Sequence, residues 1–250
     1  MLKAIYSITL MAAAALLTIS MSVHASQMDD RIASSARKSY VFKTFLQNDD
    51  IKIVSQDGAV TLTGYVADDF NKSLAAATVA ELPGVKSVNN RLEIKGTPPS
   101  VNSDEWLREK VKATLLFHRS VSVATTAVDV KEGIVTLRGE ASSQAQKDLT
   151  TEYAKDIEGV KGVNNLIVVS GGSMKKTIGE NIDDVSITVQ VKLSLLHHRS
   201  TSAIKTKVES NSGEVTLYGQ AGSEAEKDLA TKLANDINGV KSVKNQMTVQ

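Results

Sequence analysis

The chain repeats itself three times, and that repeat narrows its possible folds more than any other feature. Asp57-Gly58-Ala59-Val60-Thr61-Leu62-Thr63-Gly64 returns as Glu132-Gly133-Ile134-Val135-Thr136-Leu137-Arg138-Gly139. It returns again as Ser212-Gly213-Glu214-Val215-Thr216-Leu217-Tyr218-Gly219. Gly84-Val85-Lys86-Ser87-Val88 recurs as Gly159-Val160-Lys161-Gly162-Val163 and as Gly239-Val240-Lys241-Ser242-Val243. Both motifs shift by 75 residues and then by 80 (57 to 132 to 212; 84 to 159 to 239). Residues 132–165 and 212–245 agree at 20 of 34 positions, and the first copy agrees with the second at 13 of 34. A unit of about 65–70 residues is small but can bury a core of its own.

Each copy has the same periodicity. Ile32, Ala36 and Tyr40 lie at i, i+4 and i+8, as do Leu107, Val111 and Leu115, and Ile187, Val191 and Leu195. That spacing predicts a helix with one buried stripe. Alternation follows at Ile51 and Ile53, Thr126 and Val128, and Thr206 and Val208, which predicts a half-buried strand. Asp-Gly, Glu-Gly or Ser-Gly then makes a two-residue hairpin turn, because glycine tolerates positive φ. The returning strand carries Val60 and Leu62, Val135 and Leu137, or Val215 and Leu217 inward.

A second helix starts at Asp68, Ser143 or Ser223. Ser143 with Gln146, and Ser223 with Glu226, match the capping box. Leu74 and Leu82, Leu149 and Ile157, and Leu229 and Ile237 are its expected core face. Gly84, Gly159 or Gly239 stops it in the left-handed region. The third strand runs through Val88, Leu92 and Ile94, through Val163, Ile167 and Val169, and through Val243, Met247 and Val249. The helical crossover is long enough for this strand to pair parallel with the second. The expected fold is α+β: three tandem α-β-β-α-β domains, each with two helices on a small three-stranded mixed sheet.

Met1 to Lys3, an apolar run from Ala4 to Met21, and Val23-His24-Ala25 before Ser26 form a secretory signal pattern. Cleavage is expected after Ala25, which gives a periplasmic protein. An uncleaved membrane anchor is the competing reading of the run. Gly96-Thr97-Pro98-Pro99-Ser100 is a linker stiffened by proline, and Ser170 to Lys176 is flexible and polar. The expected division is a signal peptide 1–25, unit one 27–95, a linker 96–102, unit two 103–170, a linker 171–182, and unit three 183–250. Such linkers predict three beads on a string.

Composition removes several functions. There is no cysteine, which excludes disulfides, thiol nucleophiles and Cys-ligated zinc. The 29 bases and 28 acids leave a net charge of +1, too little excess for a general nucleic-acid binder. No Ser-His-Asp order, His-Glu-x-x-His pair or phosphate loop occurs. No enzyme activity, catalytic residue, cofactor or metal is expected. His197 beside His198 is a poor chelating pair, since neighbours on a helix point about 100° apart.

The candidate binding residues are those that recur. His118-Arg119-Ser120 reappears as His198-Arg199-Ser200, while unit one has Lys43-Thr44-Phe45 there. A guanidinium flanked by an imidazole and a hydroxyl can grip phosphate; a cationic helix C-terminus explains the same residues. Trp106 is the one Trp. It is a candidate membrane-interface anchor, or it packs on a neighbouring unit. Lys147 and Lys227, with Lys72, occupy equivalent places on the second helices, where they could face anionic headgroups.

The Gly-x-Val-Thr-Leu-x-Gly strand and the Gly-Val-x-x-Val-x-Asn exit resemble the BON domain family, named for bacterial osmotic-shock and nodulation proteins. A signal peptide followed by tandem copies, without a lipobox cysteine, is similar to its osmotically inducible periplasmic members. The resemblance implies a non-enzymatic protein that contacts phospholipid membrane surfaces and supports envelope integrity under osmotic or other stress. The alternative it carries is a chaperone-like or adaptor protein that binds envelope proteins. The expected partner is anionic phospholipid, held weakly and multivalently, with envelope proteins second and no nucleic acid.

Overall fold

The computed structural model describes residues 27–96, 99–121, 126–170, 182–198, 200–201 and 206–250. The leader and most of the second linker lie outside the described residues. Unit one contains α1 (27–38), α2 (Tyr40–Thr44), β1 (Asp50–Gln56), β2 (Ala59–Val66), α3 (Asp69–Ala80) and β3 (Ser87–Ile94). Unit two contains α4 (Asp104–Phe117), β4 (Ala127–Lys131), β5 (Ile134–Arg138), β6 (Glu140–Ala141), α5 (Gln144–Lys155), β7 (Gly162–Asn165) and β8 (Val168–Val169). Unit three contains α6 (Asp184–His197), β9 (Thr206–Asn211), β10 (Glu214–Ala221), α7 (Glu224–Asn235), β11 (Ser242–Asn245) and β12 (Thr248–Val249). The α-β-β-α-β order holds in all three. In unit one β2 is central, antiparallel to β1 and parallel to β3.

The hairpin turns take a stricter form than a permissive glycine alone. Both central residues are left-handed: Asp57 and Gly58 at φ 52° and 82°, Glu132 and Gly133 at 54° and 80°, Ser212 and Gly213 at 53° and 83°. This is the twist-matched hairpin turn that favours Asn or Asp before Gly. Glu132 and Ser212 are there against preference, at a cost of about 1 kcal/mol. Glu132→Asn is therefore expected to stabilise the protein by about 0.5 kcal/mol. Urea denaturation checks this, and an unchanged or lower midpoint would refute it.

The Asn that closes the exit motif ties the third strand to the second helix. Asn90, Asn165 and Asn245 each donate from Nδ2 to the carbonyl of Lys72, Lys147 or Lys227, at 2.8–3.0 Å. Their Oδ1 atoms accept from Leu92, Ile167 and Met247 N. In units two and three the third strand is interrupted at this point.

Several local expectations change. The first helix of unit one breaks at Ser39, whose backbone is extended and whose Oγ caps α2. Tyr40 therefore leaves the buried stripe of Ile32 and Ala36. Leu149 is 39% exposed, because α5 turns Gln146, Thr150 and Ala154 inward instead. Val169 also faces outward. The capping boxes are shifted. Ser143 and Ser223 accept from Gln146 and Glu226 N, but the side chains of Gln146 and Glu226 return to Ser142 and Gly222 N.

The larger difference is between units. Unit two closes a core of its own around Leu107, Val111, Leu115, Val135, Leu137 and Ile157. The cores of units one and three are continuous, and Phe117 of unit two inserts into them. The described residues form a packed three-unit body rather than separated beads.

Candidate functional site

The His-Arg-Ser residues of unit two meet a carboxylate of unit three. His118 ends α4 as its C-cap and is 2% exposed. Its ring stacks on Tyr153 at 3.8 Å between centroids. Its Nδ1 lies 3.3 Å from Asp236 Oδ2 without meeting the geometry of a hydrogen bond. Ser120 Oγ and Tyr153 Oη both donate to Asp236. Arg119 Nε lies 3.9 Å from the same carboxylate, and its Nη1 donates to the Val240 carbonyl at 3.2 Å. Burial alone would raise the Asp236 pKa. The contacts from His118, Ser120 and Tyr153 outweigh it and hold the carboxyl below its usual value.

Unit three returns the contact. His198 lies 80 residues after His118, and Asp156 lies 80 before Asp236. His198 Nε2 sits 2.8 Å from Asp156 Oδ2. Ser200 N donates to His198 Nδ1 at 3.2 Å, which leaves Nε2 as the proton-bearing nitrogen that faces Asp156. Arg199 lies outside the described residues. The anion met by the recurring trio is thus, in unit two, an aspartate at the end of another unit's second helix.

Three phenylalanines and a histidine gather where all three units meet. Phe45 packs on Phe117 at 5.3 Å, Phe117 on Phe70 at 5.5 Å, and Phe70 on His197 at 5.8 Å. His197 and His198 point to different places, one to this junction and one to Asp156. Unit one is fastened to unit three by polar contacts as well. The N–H groups freed at the start of α2 donate from Tyr40 to Asp183 Oδ2 at 2.7 Å and from Val41 to Ser186 Oγ at 3.2 Å. Lys192 pairs with Glu81 at 2.6 Å.

Beside the junction is a cavity of about 560 Å³ that draws walls from each unit. Trp106 lines it and is partly exposed, with Lys110 Nζ 4.1 Å above its ring. Lys147 and Lys227 lie elsewhere, partly exposed on α5 and α7, and neither enters an ion pair among the described residues. The sequence candidates therefore fall into separate places rather than one site. Among the described residues no group of three His, Asp or Glu converges to hold a metal ion. None of the described helices is long and apolar enough to cross a membrane.

One recurring group escaped the sequence reading. Asp29, Asp104 and Asp184, at the start of each first helix, accept from the two N–H groups of their own unit's hairpin turn. For Asp29, hydrogen bonds from Ser55 and Gly58 hold the carboxyl below its usual pKa. For Asp104, those from Gly133 and Glu132 do so. The signal was available, since the three recur at the same shifts as the motifs, 75 residues and then 80.

The BON domain matches residues 28–96, 103–171 and 183–250. The chain belongs to the BON domain family. It is 34% identical over 187 residues to the outer membrane lipoprotein DolP of Haemophilus influenzae, covering 74% of this chain and 88% of that one. It is 35% identical over 147 residues to the osmotically-inducible protein Y of Escherichia coli, covering 58% and 71%. A 21 kDa hemolysin of Actinobacillus pleuropneumoniae is 30% identical over 141 residues, covering 56% and 71%. In this BON protein both family motifs serve the fold. The first glycine of the strand motif completes the hairpin turn, and the exit Asn joins strand to helix.

Proposed function

We propose that this BON protein is a non-catalytic binding protein of the bacterial envelope. It reaches the periplasm by loss of residues 1–25, contacts phospholipid surfaces and supports envelope integrity under osmotic stress. The observation that carries this reading is the kinship with DolP, named an outer membrane lipoprotein, across most of both chains. The relative named as osmotically inducible supplies the stress. Lys147 and Lys227 support lipid contact better than the His-Arg-Ser trio. Both are partly exposed and, among the described residues, outside ion pairs, while Arg119 is turned toward Asp236. Each such cation contributes about 1 kcal/mol near an anionic leaflet, and linked units add avidity.

Residues 27–250 are expected to float with phosphatidylglycerol vesicles at low salt and to be released at high salt, because headgroup attraction is screened. The double variant Lys147→Glu, Lys227→Glu is expected to lose at least tenfold in binding. Flotation insensitive to both salt and charge reversal would overturn this reading.

A second reading, an adaptor for envelope proteins, is favoured by one feature. Leu166, in the break between β7 and β8, and Val168 and Val169, in β8, are exposed at 56%, 63% and 40%. Short apolar strands of this kind can take up another chain. The same salt series separates the two readings, since apolar capture is not screened.

A further inference from the structure

We propose that the cavity between the three units is a binding site for an organic ammonium group. Its size, about 560 Å³, is that of a small-molecule pocket. Phe70, Ile94, Val101 and Trp106 supply apolar wall, from α3, the end of β3, the first linker and α4. The charge on the lining itself is unequal. Asp68, Asp69, Glu105 and Glu109 line the cavity with two cations, Lys95 and Lys110, while Arg108 and Lys112, outside the lining, pair with Glu105 and Glu109. His197 adds no positive charge near neutral pH, because burial, and then the charge of Lys110, depress its pKa to about 4. Its imidazole remains able to accept a hydrogen bond.

The chain already shows which chemistry the indole takes. Lys110 Nζ stands over the Trp106 ring at 4.1 Å, the arrangement by which aromatic faces attract ammonium ions. This side chain is partly desolvated, and burial lowers its pKa. Lys110 therefore stands in for a ligand ammonium and competes with one. A ligand with a short apolar body would displace it to solvent, cover Phe70 and Trp106, and leave Asp68 and Asp69 facing Lys95, with Glu105 and Glu109 held by Arg108 and Lys112. An anionic ligand would meet those same carboxylates unfavourably.

The ammonium has two chemical sources: a free soluble amine, or the amino headgroup of a phospholipid. Trp106 is the chain's one tryptophan, so its emission reports the site directly. Choline chloride titrated into residues 27–250 is expected to give a saturable change in emission that equal sodium chloride does not give. Phosphatidylcholine vesicles form the second arm. A response to choline alone identifies a soluble ligand, and a response to vesicles alone identifies the headgroup. Lys110→Gln removes the internal competitor and is expected to tighten binding about threefold. Trp106→Ala, followed by calorimetry, is expected to abolish it. No saturable change with either probe, or binding weakened by Lys110→Gln in a folded protein, would overturn the proposal. Flotation on phosphatidylglycerol involves no ammonium headgroup, so the two proposals can fail separately.

Discussion

Phe117→Ala is expected to destabilise the whole protein by about 4 kcal/mol. The residue closes α4 and is 1% exposed. Its ring lies in the core shared by units one and three, outside its own unit's core. Removing it takes the central ring from the Phe45–Phe117–Phe70 stack and leaves a cavity that three units would have to move to fill. Its carbonyl also accepts from Asn238 N at 3.3 Å, so collapse of the site would disturb unit three. Phe117→Leu keeps much of the volume and should cost less than half as much. Urea denaturation of both variants checks this. A loss under 1 kcal/mol for Phe117→Ala would show that the units hold together without the stack.

Asp236→Ala is expected to cost about 3 kcal/mol. The carboxylate receives two hydroxyl donors, Ser120 and Tyr153, and faces His118 and Arg119. Alanine would leave the largely buried Tyr153 hydroxyl without its acceptor, and an unsatisfied buried donor is expensive. The sign of the pH effect follows from the depressed pKa. The Asp236 contribution is present above the unfolded value of about 4 and is lost as pH falls through the lower folded one. The wild type should thus lose thermal stability in acid more steeply than Asp236→Asn does. Parallel melting-temperature profiles for the two proteins below pH 4 would count against the carboxylate as the clasp.

The parts legible in the sequence were those decided within one unit. Val60, Leu62 and their repeats at 135, 137, 215 and 217 alternate because a strand does, and no neighbour can change that period. All six are buried. Leu149 misled because a leucine at nearly helical spacing looks like core, while Thr150 took the inward place by bonding its hydroxyl to the Gln146 carbonyl. What was not legible was how units meet. Linker composition reports stiffness and says nothing of whether the tethered bodies attract, so Pro98-Pro99 and Gly171-Gly172 suggested separation. The attraction resides in residues that periodicity treats as helix ends: Phe117, His118 and Asp236. A pointer existed in the recurrence of His-Arg-Ser in units two and three and its absence from unit one. The sequence allowed two readings of the trio, a phosphate grip and a cationic helix end, and neither pointed to Asp236 as its neighbour.

The exchange of His118 for His198 and Asp236 for Asp156 is isologous: each body offers the same two groups and uses both. Such a contact closes on itself. Once units two and three have met, neither retains the surface that would recruit another copy by the same rule. A head-to-tail contact between identical repeats would leave one free donor at one end and one free acceptor at the other, and chains could then join into filaments. Here the duplicated sequence carries its own stop signal, and unit one has Lys43 where the other two have histidine.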